Sequence, residues 1–411
     1  MTKSSDNRIS RRQLLRGAAA TASTAALFSA ARAAFPAGAF AQGSGPETKK
    51  ATFGFIALTD ANPLFVAKEK GLFAKYGVGD IEVAKQASWG ATRDNLVLGG
   101  AGGGIDGAHI LTPMPYLISS GRVTQNNQPV PMYILARLNL NGQCISVAKA
   151  HMPTGTKLDA APLKDVFKKL VASGKEVKVA NTFPGGTHDM WIRYWMAAGG
   201  IDPDKDVQTI TVPPPQMVAN MKVGTMEAFC VCEPWNDQFV HQGIGYTALT
   251  TGELWKGHPE KSLGLRADWV DKHPKAAEAA LMAVMEAQMW CEKPENAEEM
   301  CKIAAKRNWI NAPYEDIIDR AKGKFVYGDG RTVEKHPDMM KYWDDHASYP
   351  YQRGPPGGTP PATAAARRAA APCAGPGRSD RDRAWRRCSG RSGPPERLRF
   401  RPPARSPTRR A

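Results

Sequence analysis

The glycines of the run GGAGGGIDG, at positions 99–107, are the first candidates for chemistry in this sequence. Glycine-rich loops can bring backbone N–H groups close to a phosphate, so such a run could serve a nucleotide enzyme. A loop of the Walker type continues with Lys and then Ser or Thr, whereas Ile105 and Asp106 follow here. A dinucleotide loop follows a strand and opens a helix, but this run follows a predicted helix and precedes a predicted strand. We therefore interpret it as a tight turn.

The seven cysteines are the next candidates, as metal ligands or redox groups. Five of them precede the last sixty residues, and none of the five shows the spacing of a zinc site. Cys230 and Cys232 lie in the apolar run EAFCVCEPW, where a strand would place both side chains on one face. We interpret the five as buried structural thiols.

Other catalytic patterns are equally weak. The sequence has no motif of a Ser-His-Asp triad, and no lysine set in a cofactor motif. His109 and Asp106 are close in sequence, but an odd separation along a strand places side chains on opposite faces. The sequence therefore predicts a protein that is not an enzyme and that uses neither a metal nor a cofactor.

Short β-rich runs alternate with amphipathic helical runs between Ala51 and Cys232. The predicted strands lie in ATFGFIAL, DIEVAKQ, DGAHIL, MYILARLNL, EVKVANTF, DVQTITVP and MEAFCVCEP, with helical runs between most of them. After Asp268 the pattern is mostly helical. Such alternation predicts an α/β fold with largely parallel sheets, and about 300 residues suit two lobes better than one core.

The net charge of +16 would suit a nucleic-acid binder, but it is concentrated at the two ends of the chain. Residues 1–41 carry a net charge of +5 and residues 352–411 a net charge of +12, which leaves −1 for the part between them. The part of the chain that is predicted to fold is thus nearly neutral. We therefore exclude nucleic acid as the main partner.

Both ends have distinctive compositions. Residues 1–41 combine the arginine pair Arg11–Arg12 with an apolar, alanine-rich stretch and small residues, which is typical of a twin-arginine export signal. No cysteine lies near the expected cleavage site, so no lipid anchor is predicted. Residues 352–411 are rich in Arg and Pro, contain no Lys and are predicted to be disordered. An out-of-frame or divergent tail is one hypothesis for them, and a basic interaction tail is the alternative.

Several stretches together resemble the nitrate/bicarbonate-binding proteins of bacterial ABC importers. The resemblance runs from about residue 51 to 351 and is carried by GFIALTDANPLFVAKEKGLFAKYG, SWGATRDNL, IDGAHILTPMPY, LNGQCIS, FPGGTHDMWIRYWMAAGGIDP, FCVCEPWN and TGELWKGHPEKSLGLRADWV. It implies a two-lobed periplasmic-binding-protein fold of type II, with the ligand cleft between the lobes. We expect lobe one at 47–145 plus 250–351 and lobe two at 146–249.

The resemblance also implies an anion site. Trp89 would donate its indole N–H, with the Gly90 backbone beside it, and Gln143 would donate its amide. His188 would reach from the start of a helix, and Lys261 of the HPEK motif would supply the positive charge. Nitrate is planar, singly charged and only accepts hydrogen bonds, so this set of donors suits it. Because histidine titrates near neutrality, His188 is expected to make nitrate affinity rise as the pH falls.

Each of these residues has another interpretation when taken alone. Trp89 could be a core aromatic, Gln143 a loop residue, and His188 a helix cap or a solvent-facing side chain. Lys261 could be a surface charge, and the nearby Lys256 could supply the cation instead. Only the order of the surrounding motifs favours the proposed set.

The predicted function is that of a periplasmic solute-binding protein that captures nitrate, with nitrite as a further ligand. Its expected partners are an ABC permease and its ATPase, it would meet the membrane only through that permease, and we expect a monomer. One alternative is a bicarbonate-binding member of the same family that also binds calcium and has an acidic residue in place of Lys261. A second alternative is a nitrate-binding sensor, which the export signal disfavours. A third is an enzyme of the same fold.

Overall fold

The computed structural model describes residues 45–350. The predicted export signal at 1–41 and the Arg- and Pro-rich segment at 352–411 lie outside the described residues. Among the helices that the model does describe, none combines the length and the apolar character needed to cross a membrane.

The first of two five-stranded sheets is built from strands at both ends of the described chain. Its strands are β1 (Lys50–Phe55), β2 (Asp80–Lys85), β3 (Gly107–Leu111), β4 (Met132–Arg137) and β10 (Lys261–Arg266). Their spatial order is β2-β1-β3-β10-β4. β1 pairs in parallel with β2 and β3, whereas β10 runs antiparallel to both of its neighbours.

The second sheet takes its strands from the middle of the chain and repeats the same arrangement. Its strands are β5 (Gln143–Ala148), β6 (Lys178–Asn181), β7 (Gln208–Thr211), β8 (Ala228–Cys232) and β9 (Gly245–Thr250). The order is β7-β6-β8-β5-β9, with β6 parallel to β7 and β8 and with β5 antiparallel to its neighbours. The α/β prediction is therefore correct, but each sheet also contains antiparallel pairs.

Helices connect and flank the strands of both sheets. In chain order they are α1 (Asn62–Glu69), α2 (Leu72–Lys75), α3 (Trp89–Leu98), α4 (Met114–Ser119), α5 (Ala161–Ala172), α6 (Thr187–Ala198), α7 (Met217–Lys222), α8 (Trp235–His241), α9 (Thr251–Leu254), α10 (Ala267–Lys272), α11 (Pro274–Cys291), α12 (Ala297–Ala305) and α13 (Glu315–Ala321). Several short 3₁₀ turns accompany them, one of which, Thr59–Ala61, lies between β1 and α1.

The chain passes from one sheet to the other through two short segments. The first joins β4 to β5, and the second joins β9 to β10 through α9. A later hairpin, formed by β11 (Phe325–Val326) and β12 (Thr332–Val333), returns to the second sheet, where the Thr247 N–H donates to the Tyr327 carbonyl at 2.8 Å. The lobe boundaries given above remain a prediction.

Two local interpretations are confirmed. The glycine run is the turn between α3 and β3, and Gly99 and Gly103 adopt φ angles of 75° and 86° there, which favour glycine. The Asp106 carboxylate accepts the Thr52 N–H at 2.9 Å and so ties this turn to β1. The five cysteines of the described residues are all buried free thiols.

Candidate functional site

Trp89 is the first residue of α3, a helix whose start is fixed by its own sequence. The Ser88 hydroxyl caps the helix by accepting the Ala91 N–H at 3.1 Å, which is the usual role of serine at this position. Trp89 is fully buried, and Gly90 beside it is partly exposed. The N–H groups of the first turn of α3 have no acceptor within the helix itself, and they lie next to the buried indole of Trp89.

His188 occupies the first turn of α6, after the turn that leaves β6. Gly186 precedes the helix, and a side chain there would collide with Leu111 of the first sheet, so glycine permits this close approach. The His188 ring is fully buried, and its Nδ1 hydrogen-bonds to the Thr182 hydroxyl. When that hydroxyl donates, the imidazole proton lies on Nε2.

Gln143 begins β5, immediately after the first passage between the sheets. The turn before it places Asn141 and Gly142 at φ angles of 56° and 95°. The buried Gln143 amide donates to the Thr187 hydroxyl at 3.1 Å. Thr187 in turn donates to Glu260 Oε1 at 2.9 Å, so one hydroxyl joins the starts of β5 and α6 to the residue that precedes β10.

Lys261 is the first residue of β10 and is fully buried. Its backbone is held by the first passage, because its N–H donates to the Asn139 side chain at 3.1 Å and its carbonyl accepts the Leu138 N–H at 2.7 Å. Its ammonium lies 2.7 Å from Asp60 Oδ2 and contacts Glu260 Oε1. The alternative cation, Lys256, is exposed, and so the structure favours Lys261 as the buried charge.

The ammonium of Lys261 also lies 5.7 Å from the centre of the Trp89 ring, within the range of a cation–π interaction. The side chains of Trp89, Gln143, His188 and Lys261 therefore belong to one cluster. Its further members, which sequence reasoning missed as site residues, are Asp60, His109, Thr187 and Glu260.

The missed residues left only weak signals in the sequence. Strand alternation separates His109 from Asp106, and the His109 Nε2 lies 2.6 Å from Asp60 Oδ1. Asp60 lies five residues after the end of β1, in the turn Thr59–Ala61, and Glu260 directly precedes Lys261 in the HPEK motif. A polar residue shortly after a buried strand was the one signal that could have found Asp60.

Apart from Asp60 Oδ2, which pairs with the Lys261 ammonium at 2.7 Å, five polar atoms of this cluster have no hydrogen-bond partner among residues 45–350: Trp89 Nε1, His109 Nδ1, Gln143 Oε1, His188 Nε2 and Glu260 Oε2. Leaving a buried polar group unpaired costs about 1–3 kcal/mol. Two of these atoms, Trp89 Nε1 and His188 Nε2, can donate a hydrogen bond, and they lie in the cluster that also holds the Lys261 charge. Such a set is suited to a small acceptor-rich anion.

The electrostatics of the cluster are set by burial and by Lys261. Burial opposes ionisation of Asp60, but the charge of Lys261 and the hydrogen bond from His109 outweigh it and hold the pKa of Asp60 well below its usual range. Burial likewise disfavours the Lys261 ammonium, but Asp60 and Glu260 outweigh it and raise the Lys261 pKa. For Glu260 burial prevails, and its pKa rises to about 7 although Lys261 opposes the shift.

The pKa of His188 differs from the value expected from the sequence. Burial, and then the positive charge of Lys261, lower the pKa of His188 well below its ordinary value. The expectation that His188 titrates near neutrality is therefore wrong for this structure, in which the ring is neutral at pH 7.

Comparison with known proteins assigns the chain to a family. The model of the NMT1-like family matches residues 44–305. The chain belongs to this family. It is 64% identical over 308 residues to the nitrate/nitrite binding protein NrtA of Synechocystis, a match that covers 75% of this chain and 68% of that protein. The crystal structure of the periplasmic nitrate-binding protein NrtA from Synechocystis PCC 6803 is similar with a TM-score of 0.73, covering 75% of this chain and 79% of that one.

Two other relatives are more distant. The bicarbonate-binding protein CmpA of Synechococcus elongatus is 45% identical over 311 residues, which cover 74% of this chain and 69% of that protein. The nitrate import ATP-binding protein NrtC of Synechocystis is 33% identical over 309 residues, which cover 75% of this chain and 45% of that protein. The family resemblance and the two-lobed α/β fold predicted from the sequence are thus confirmed.

The buried ion cluster generates a stability prediction. Lys261→Met should destabilise the protein by about 3–5 kcal/mol at pH 7, because Asp60 and Glu260 are then buried without their cation. Without Lys261 the folded-state pKa values of both acids rise above their unfolded values. The loss of stability relative to the wild type should therefore grow as the pH rises from 5 to 8. Denaturant unfolding at pH 5 and at pH 8 measures the free energy of unfolding of each variant. The control Lys256→Met, at an exposed site, should change stability by less than about 0.5 kcal/mol, and equal losses in the two variants would contradict the assignment.

Proposed function

We propose that this protein is the solute-binding component of an ABC importer and that it captures nitrate, with nitrite as a further ligand. The observation that carries the proposal is the pair of buried N–H donors, Trp89 Nε1 and His188 Nε2, which have no hydrogen-bond partner within residues 45–350 and belong to the same cluster as the buried ammonium of Lys261. The similarity to nitrate-binding relatives supports the choice of anion.

The chemistry of the cluster suits nitrate. Trp and Lys only donate hydrogen bonds, Gln can donate through its amide, and a neutral His donates through one ring nitrogen. The first N–H groups of α3, at Trp89 and Gly90, add the positive end of a helix dipole. We propose that Trp89, Gly90, Gln143, His188 and Lys261 contact the anion. Capture of an anion without a chemical reaction requires only these hydrogen-bond donors and the positive charge.

We further propose that the protein acts as a monomer in the periplasm after twin-arginine export, without a lipid anchor. There it would deliver nitrate to a permease and its ATPase, and the similarity to NrtC, an ATP-binding protein for nitrate import, supports an ABC partner. The lobes at 47–145 plus 250–351 and at 146–249 would enclose the anion.

The second candidate ligand is bicarbonate. The similarity to CmpA favours it as the alternative, but that identity is lower than the identity to the nitrate-binding relatives. The resemblance implies an acidic residue in bicarbonate binders at the position of Lys261. A buried lysine there favours a site in which the protein itself supplies the cationic charge.

Calorimetric titration of the full exported chain tests the function. Nitrate should bind, bicarbonate with calcium should bind more weakly, and sulfate should not bind. Trp89→Phe removes one N–H donor and keeps an aromatic ring, so it should weaken nitrate binding about tenfold or more. The control Trp195→Phe alters an equally buried tryptophan, whose Nε1 donates to the Lys157 carbonyl at 3.1 Å, and should leave affinity unchanged.

The two lysines give a sharper contrast in the same assay. Lys261→Glu should abolish nitrate binding, because it replaces the buried cation by a repelling charge, whereas Lys256→Glu should have little effect. Circular dichroism checks that each variant is folded. A folded wild-type protein that fails to bind nitrate would overturn the proposed function. A larger loss of nitrate affinity in Lys256→Glu than in Lys261→Glu would place the binding site at Lys256 instead.

Export generates a separate prediction. Replacing Arg11 and Arg12 by Lys should leave the precursor in the cytoplasm, because the twin-arginine pathway recognises the arginine pair. Cell fractionation with an antibody to the mature chain measures the effect, and Lys3→Arg is a control for charge elsewhere in the segment. Normal export of the double variant would exclude this pathway.

A further inference from the structure

The buried cluster contains two carboxylic acids and one lysine. Asp60, Glu260 and Lys261 are each fully buried, and Lys261 forms ion pairs with both carboxylates. Within residues 45–350 the structure pairs no second Lys or Arg with either of them. When both acids are ionised, these three side chains carry a net charge of −1.

The other titratable groups around the two acids are neutral at pH 7. Burial lowers the pKa of each of three histidines that approach them: His109, His188 and His258. His188 Nε2 lies 4.0 Å from Glu260 Oε1, and His258 Nδ1 lies 3.9 Å from Glu260 Oε2. Burial also raises the thiol pKa values of Cys230 and Cys232, so neither thiol ionises.

A monovalent anion that enters this cluster meets a net negative charge in a region removed from water. Two like charges repel strongly in such a region, because little solvent screens them. The unpaired donors of Trp89 and His188 offset only part of that repulsion. The binding of an anion therefore favours the state of the cluster that carries one proton more.

We propose that nitrate binds to the form of the cluster that carries a proton on Glu260, so that nitrate takes up one proton wherever this carboxylate is ionised beforehand. This inference rests on the proposed function. The proton comes from solvent, adds to the Glu260 carboxylate and brings the net charge of the three side chains to zero, and no other bond is made or broken. Asp60 stays ionised and keeps Lys261 charged.

The geometry assigns the proton to Oε2 of Glu260. Oε1 already accepts the Thr187 hydroxyl and contacts the Lys261 ammonium, whereas Oε2 has no hydrogen-bond partner in the described part of the chain. Neutralising this carboxylate weakens one of the two ion pairs of Lys261 and leaves its ammonium available to the anion. A cluster with zero net charge accepts one negative charge more readily than two, which disfavours divalent sulfate.

Calorimetry in pairs of buffers with different ionisation enthalpies measures the proton uptake directly in the wild-type chain. Because the Glu260 pKa is about 7, uptake should be about 0.1 proton per nitrate at pH 6 and about 0.9 at pH 8. Nitrate affinity should correspondingly fall about tenfold between pH 6 and pH 8. Nitrate binding with no proton uptake at either pH would overturn the inference and leave the proposed function standing.

Variants identify the residue that takes the proton. Glu260→Gln should abolish proton uptake and flatten the pH profile, whereas His188→Gln should weaken binding and keep the uptake. The matched control is Glu227→Gln, which changes a buried glutamate that pairs with His151 and Lys175 instead, and it should behave as the wild type. Loss of uptake in His188→Gln with uptake retained in Glu260→Gln would contradict the assignment. Failure of the folded wild type to bind nitrate would refute the proposed function and, with it, this inference.

Discussion

Lys261 is fully buried, and burying an ammonium is costly unless negative or hydrogen-bonding groups pair with it. Asp60 and Glu260 meet this requirement from two different places, the turn after β1 and the residue before β10. Glu260 in turn accepts a hydrogen bond from the Thr187 hydroxyl at the start of α6. The ion cluster thus links elements of both sheets, and the positions of Trp89, Gln143 and His188 around it depend on this link.

The sequence allowed the strands with clear hydrophobic runs to be predicted. The predicted strands near Phe53, Ile81 and Val179 form the parallel parts of the two sheets, because such runs are apolar and bounded by turns. The strands β5, β9 and β10 were not predicted. Two of them begin with residues of the site, Gln143 and Lys261, and the pattern of a strand is weaker where its first residue is polar.

The candidate site was predictable only in part, and only through resemblance. Trp89, Gln143, His188 and Lys261 are each ordinary residues when read alone, and the order of the surrounding motifs brought them together. Asp60 and Glu260 could not be found in that way, because an isolated acidic residue is usually exposed. Their importance comes from burial beside Lys261, which depends on contacts between residues up to about 200 positions apart. The neutrality of His188 has the same origin.

The most direct test is a crystal structure of the protein grown with nitrate. The account predicts a planar anion with its oxygens within hydrogen-bond distance of Trp89 Nε1, His188 Nε2 and the Lys261 ammonium. Matched crystals with sulfate should show no anion there. Nitrate bound elsewhere, or a site in which Lys261 contacts only Asp60 and Glu260 at saturating nitrate, would contradict the account.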